Sequence, residues 1–210
     1  MSVETTLLRN EPVQARSNAR LTSLLDAAAA AIDEVGYERL TTAMVAERAG
    51  ASIGTVYRYF PDRIAVLQSV ASRAIDRFNT RVDEVFDSQK FASWWEAIDA
   101  LVLEGVGAME NEPAFAAIRF GDVLDLRPRE NASTGSSRVA AHIGPVLVAD
   151  YGLTDGEELY FHLEVAFTIV DALLARAFVF EPTGDQPYID QARAIVKTYL
   201  VKAFGEPEAQ

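Results

Sequence analysis

The sequence predicts an all-α protein, and three observations carry that prediction. Apolar residues recur at three- and four-residue spacing through most of the 210 residues. No alternating Val/Ile/Thr pattern of the kind that builds a half-buried strand persists beyond a few residues. Prolines are few and punctuate the chain at Pro61, Pro113, Pro145, Pro182 and Pro187. Together these predict about nine helices, three in a small N-terminal domain and the rest in a larger helical one.

Each element follows from its own residues. Residues 1–16 read as a mobile arm. Leu21, Leu24, Leu25, Ala28, Ile32 and Val35 make the apolar face of a first helix, which Gly36 ends. Thr41 or Thr42 caps a short second helix that closes near Ala49-Gly50. Ser52 caps a short third helix reaching about Tyr59. Phe60-Pro61-Asp62 opens a long fourth helix to about Phe86. A fifth runs from about Phe91 to Glu110, and a shorter sixth from Pro113 to about Leu126. Arg127 to Ser137 is rich in Pro, Asn, Ser, Thr and Gly and reads as a loop. A seventh helix spans about Ser137 to Tyr151. Thr154, with Glu157 three residues on, is a capping-box signature for an eighth helix to about Phe180. Pro187 suits the first turn of a ninth, which ends near Phe204.

Composition limits function. There is no cysteine, which excludes disulfides, thiolate metal sites and a cysteine nucleophile. The two histidines, His142 and His162, are too few for a histidine metal centre, and no cofactor is expected. The N-terminus has no basic, apolar leader pattern, and Asp171 and Arg176 interrupt the most apolar stretch, so a cytoplasmic protein without a membrane span is expected. The formal charge of −12 opposes phosphate binding when taken whole. It is unevenly spread. Residues 1–60 hold six Arg and seven acids, a net of −1, whereas residues 61–210 hold 13 Lys and Arg and 24 acids, a net of −11.

The segment Thr41 to Tyr57 has helix-turn-helix spacing. Ala46 is small enough for two short helices to cross closely, and Gly50 supplies the left-handed turn. Val45, Ala49, Ile53 and Val56 form the apolar inner faces. The third helix then presents Gly54, Thr55, Arg58 and Tyr59 outward, where hydroxyls and a guanidinium can meet phosphates and base edges in the major groove.

Leu25-Asp26-Ala27-Ala28, Glu34-Val35-Gly36-Tyr37, Leu40-Thr41-Thr42, Val45-Ala46, Ala49-Gly50-Ala51-Ser52 and Gly54 to Phe60 together resemble the DNA-binding domain of TetR-family transcriptional regulators. The resemblance covers about 45 of the 210 residues. It implies a helix-turn-helix domain over residues 17–62 and a ligand-binding and dimerisation domain over 63–210. It implies a homodimer on double-stranded, inverted-repeat operator DNA, released by a small-molecule effector. By motif position it makes Thr42, Ser52, Thr55, Tyr57 and Tyr59 the candidate DNA contacts, to which the outward Arg58 is added. The family often has Lys early in the fourth helix; here Arg63 takes that place, beside an Asp62 that opposes DNA unless it caps the helix. Arg9, Arg16 and Arg20 could form an arm to the minor groove.

In the larger domain, Trp94, Trp95, Ile98, Met109, Phe115 and Phe120, with Phe78 on the fourth helix, suit a pocket for an apolar effector, with His162 and Ala166 beside them. The last two helices are apolar all round, so Phe167, Leu174, Phe178, Val196, Tyr199 and Leu200 are expected in a four-helix dimer interface. The expected function is therefore a ligand-released repressor. The alternatives are an activator or a ligand-independent DNA-binding protein. An enzyme is disfavoured: Glu158 and His162 share a helix face, but no nucleophile elbow or phosphate loop appears.

Overall fold

The computed structural model describes residues 11–112 and 134–208. Among them are eight α-helices, one short 3-10 helix and no strand. The expected sixth helix, with Phe115 and Phe120, lies outside the described residues, as do Arg9 and most of the loop after it. No described helix is long and apolar enough to cross a membrane.

The chain divides into two compact units, Met1–Val70 and Ala71–Gln210. The first contains α1 (Glu11–Val35), a 3-10 turn (Tyr37–Arg39), α2 (Thr42–Arg48) and α3 (Ile53–Tyr59). Helix α1 is already formed at Glu11, so residues 11–16 are helical and not part of an arm. Their Ala, Gln and Arg are good helix formers, and Pro12 is tolerated in a first turn. Leu24, Ala28 and Ile32, four residues apart, bury one stripe of α1, joined by Leu40, Val45, Val56 and Phe60.

Helix α4 (Arg63–Ser88) continues through the boundary between the units without a glycine or proline to break it. Its first residues Val66, Leu67 and Val70 are buried. In the second unit follow α5 (Trp94–Asn111), α6 (Gly135–Tyr151), α7 (Glu157–Ala177) and α8 (Gln186–Phe204). Helix α7 packs between α6 and α8, and α5 packs against α7 and α8. Ile98, Leu101, Val102, Met109, Ile143, Leu147, Leu163, Ala166, Val196 and Leu200 fill the core.

Two helix starts differ from the sequence reading. Helix α5 begins at Trp94 and not Phe91, because Ser93 accepts a hydrogen bond from the Glu96 amide while the Glu96 carboxylate takes the Ala92 amide. Thr154 and Glu157 form no capping box. Gly156 occupies the cap of α7 without a side-chain bond, and Glu157 and Glu158 instead place negative charge at the helix N-terminus. Helix α7 also stops at Ala177, three residues short of Phe180. The Ala177 carbonyl accepts from the Asp185 amide as the chain turns toward α8.

Candidate nucleic-acid interface and interior cavity

The helix-turn-helix is built by local chemistry. Thr41 caps α2, its hydroxyl accepting from the Met44 amide at 3.2 Å. Gly50 adopts φ +56°, a conformation in which a side chain is strained, and so helps turn the chain in the four residues between α2 and α3. Ser52 caps α3, accepting from the Thr55 amide at 3.1 Å and lying 2.9 Å from the Thr55 hydroxyl. Val45, Ala46 and Val56 are buried. Ile53, expected on the inner face, is exposed, because in this seven-residue helix Val56 alone points fully inward.

The outer face carries the expected contacts. Ser52, Gly54, Tyr57 and Arg58 are exposed, and Thr42, Thr55 and Tyr59 are half-buried. The Thr42 hydroxyl donates to the Tyr57 hydroxyl at 3.4 Å, so the two candidate contacts are held together. Phe60 is core. Arg63 is exposed but donates to the Tyr37 carbonyl at 2.8 Å, tying the start of α4 to the 3-10 turn. Asp62 caps α4, its carboxylate accepting from the Ala65 amide at 2.7 Å. Asp62→Asn keeps that cap and removes a negative charge beside the reading helix. It is expected to change stability by less than about 1 kcal/mol and to strengthen DNA binding, as read by fluorescence anisotropy.

Arg16, Ser17, Ala19, Arg20 and Ser23 of α1 line an exposed groove together with Arg58 and Tyr59 of α3. The Tyr59 hydroxyl lies 3.2 Å from that of Ser17, and the Arg58 guanidinium lies 5.6 Å from the Tyr59 ring centre. Among the described residues, three guanidinium groups border the groove and no carboxylate does. Arg16 and Arg20 stand on helix α1. Their four-residue spacing was the available sequence signal; their meeting with α3 depends on tertiary structure.

The second unit encloses a cavity of about 30 Å³ between α4, α5, α6 and α7. Phe78, Leu101, Val102, Gly105, Met109, Ser136, Val139, Phe167, Val170, Asp171 and Leu174 line it. Of the expected pocket residues, Phe78 and Met109 are brought here. Trp94, Trp95, Ile98, His162 and Ala166 are not. Trp94 packs edge-on against Trp95 and Phe204, while Ile98 and Ala166 are wholly buried in the core. His162 Nδ1 is 2.6 Å from the Tyr199 hydroxyl, in an aromatic group with Phe161 and Phe204. Burial raises the Tyr199 pKa. Phe120 lies outside the described residues. Among the described lining residues the polar ones, Ser136 and Asp171, were not singled out as site residues from sequence. The signal was there: Asp171 falls in phase with the apolar stripe Phe167, Val170 and Leu174.

Of the expected dimer contacts, Phe167, Leu174, Val196 and Leu200 are buried within the protomer, the first two against the cavity. Phe178 and Tyr199 are half-buried. The large apolar residues that α7, α8 and the turn between them leave exposed are Phe161, Val179, Phe180 and Ile195. Among the described residues no cluster of His, Cys, Asp and Glu could hold a metal ion, and Glu158 and His162 form none.

Comparison with known proteins agrees with this architecture. The family described as "Bacterial regulatory proteins, tetR family" matches residues 24–70, and "Tetracyclin repressor-like, C-terminal domain" matches residues 92–204. The HTH-type transcriptional repressor KstR of Mycolicibacterium smegmatis is 39% identical over 154 residues, covering 72% of each chain. A TetR-family transcriptional regulator from Streptomyces coelicolor superposes with a TM-score of 0.75 at 32% identity, over 88% of this chain and 99% of the other. FadR from Bacillus subtilis in complex with stearoyl-CoA shares the fold, with a TM-score of 0.58 at 17% identity over 85% and 97% of the two chains. The helix-turn-helix in the first unit, the helical second unit and these matches agree: the chain belongs to the TetR family, and it is a DNA-binding transcriptional regulator, not an enzyme.

Proposed function

We propose that this regulator is a cytoplasmic homodimeric repressor that grips an inverted-repeat operator and is released by a small, largely apolar effector. The observation that carries the reading is α4. One uninterrupted helix of 26 residues, roughly 39 Å long, has its start in the unit that reads DNA and Phe78 on the wall of the cavity. In this reading a ligand that displaces Phe78 shifts α4. Half-sites lie about one duplex turn apart, roughly 34–36 Å, so a small shift of the reading heads spoils simultaneous docking. The coupling required is on the order of 1–3 kcal/mol. The repressor named among the relatives and the ligand-bound fold neighbour support the same reading.

In this reading α3 enters the major groove. Thr42, Ser52, Thr55 and Tyr57 reach bases and backbone, and Arg58, Tyr59, Arg16 and Arg20 hold the flanking phosphates. The test is selection of bound sequences from random duplex DNA, followed by screening apolar compounds for release. An inverted repeat and a releasing compound are the expected results; selection without symmetry, or no release by any compound, would overturn the respective half.

At about 30 Å³ the cavity has room for about one water, whereas small-molecule sites span roughly 300–1,000 Å³. The effector must therefore open it. Gly105→Ala tests this directly. The added methyl would lie 3.5 Å from Leu174 Cδ1, an ordinary contact, and would fill part of the cavity. Alanine in place of a mid-helix glycine also stabilises by about 0.5–1 kcal/mol. The expected result is a melting temperature raised by about 2–4 °C with weakened effector release. A stabilised variant with undiminished release would place the effector elsewhere.

A further inference from the structure

We propose that Ile53 determines sequence specificity by covering the C5-methyl group of a thymine in the major groove, and that Gly54 beside it lets α3 come close enough; this rests on the reading above in which α3 enters that groove. Among the described residues of the first unit, three large apolar side chains are exposed: Ile53, Tyr57 and Ile64. Two of them stand on α3, four residues apart and so on one face. Packing does not account for Ile53. It is 43% exposed, while Val45, Val56 and Phe60 are at most 2% exposed.

The fold does not account for Gly54 either. Its backbone is helical, without the positive φ that favours glycine. Among the described residues a Cβ there would meet only Ser52 Oγ, at 3.8 Å, an ordinary contact. Glycine inside a helix is less stable than alanine, so folding gains nothing from it. On an exposed face the missing side chain instead lets another molecule lie close to the backbone. The chemistry of Ile53 then selects what it touches. Its side chain neither donates nor accepts a hydrogen bond, so it cannot hold a phosphate or read a base heteroatom. The apolar group that base pairs present in the major groove is the thymine methyl. Pressing Ile53 against it takes two apolar surfaces out of water at once.

The experiment uses the operator obtained by selection from random duplexes. Each thymine is replaced in turn by deoxyuridine, which removes the methyl and keeps the base-pairing edge. Anisotropy compares the unaltered chain with Ile53→Ala. The expected result is a thymine position whose methyl is worth about fourfold in affinity to the unaltered chain and nothing to Ile53→Ala. Gly54→Ala is expected to keep or raise the melting temperature and to weaken operator binding about tenfold, the cost of one spoiled base-pair contact. No methyl-sensitive thymine, a sensitivity that survives Ile53→Ala, or full operator affinity in Gly54→Ala would overturn the proposal. Thermal unfolding checks that both variants are folded; Ile53 is exposed and alanine favours the helix, so they should be. Failure of the underlying reading looks different. If α3 does not meet DNA, alanine at Thr55, Tyr57, Arg58 and Tyr59 together leaves operator affinity intact. If only the role of Ile53 is wrong, that fourfold variant loses binding and the deoxyuridine scan is the same with and without Ile53.

Discussion

Alanine at Thr55, Tyr57, Arg58 and Tyr59 together is expected to abolish specific operator binding while leaving a folded dimer. Each group faces solvent at least in part, and none belongs to the core around Val45, Val56 and Phe60. The cost to folding is small. The Thr55 hydroxyl contact with Ser52 and the Tyr59 contact with Ser17 are each worth about 1 kcal/mol, and alanine favours the helix. The cost to recognition is large. Base and phosphate contacts contribute about 1–3 kcal/mol each, while specific binding exceeds non-specific binding by only about 4–10 kcal/mol. Four losses therefore bring the protein down to its non-specific affinity, a fall of about a thousandfold or more. Anisotropy with labelled operator gives the affinity; thermal unfolding and light scattering show that fold and assembly persist. Binding within tenfold of the unaltered chain would remove α3 from the interface. Arg58→Ala alone separates the roles: if Arg58 holds a phosphate, the salt slope falls by about one while sequence preference is kept.

Salt is the natural variable because the protein carries −12 overall. The net negative charge is almost wholly outside the first 60 residues, and among the described residues no acid borders the groove of Arg16, Arg20 and Arg58. On the proposed function, repulsion of DNA by the rest of the chain is expected to keep non-specific affinity low, so that operator binding depends on a few placed contacts.

The helix-turn-helix was legible because its determinants are local. Thr41 and Ser52 cap the helices they precede, and Gly50 takes the turn. Such features need no knowledge of distant residues. The second unit was less legible because its helices are apolar on several faces. On α7, both Leu163-Phe167-Val170-Leu174 and Phe161-Val165-Ile169-Ala172 form helical stripes, and periodicity alone does not say which one faces the core. The structure buries the first, which moved Phe167 and Leu174 from the expected dimer surface to the cavity wall. Likewise, Phe78 and Trp94 are equally good pocket candidates by type, and only tertiary contacts put the former at the cavity. Ser93 and Glu96 show that a capping signal was present and passed over, whereas Thr154 and Glu157 show the same pattern defeated by an intervening Gly156. Asp171 is the informative exception, a charge on the inward stripe.

Glutamate at Phe161 and Ile195 is expected to split the proposed dimer without unfolding the protomer. Both residues are exposed, 61% and 39%, on the two helices that pack together at the end of the chain. Large apolar side chains on that pair of helices suit a four-helix contact with a second copy. In a two-fold interface each substitution occurs twice, so four carboxylates would be driven into an apolar contact. An unpaired buried charge costs about 3–5 kcal/mol, so four cost at least as much as the roughly 12 kcal/mol that holds a nanomolar dimer. In the isolated protomer the same carboxylates face water and cost little. Val196→Glu makes the contrast, since Val196 is wholly buried inside the protomer and a charge there would unfold it. Light scattering at micromolar concentration is expected to report a monomer for the double variant, with a melting temperature close to that of the unaltered chain. Operator affinity should fall by about a hundredfold or more, because a monomer forfeits the avidity of a second half-site. A double variant that stays dimeric would move the interface off these helices, and an unaltered chain that is itself monomeric would remove the inverted-repeat operator altogether.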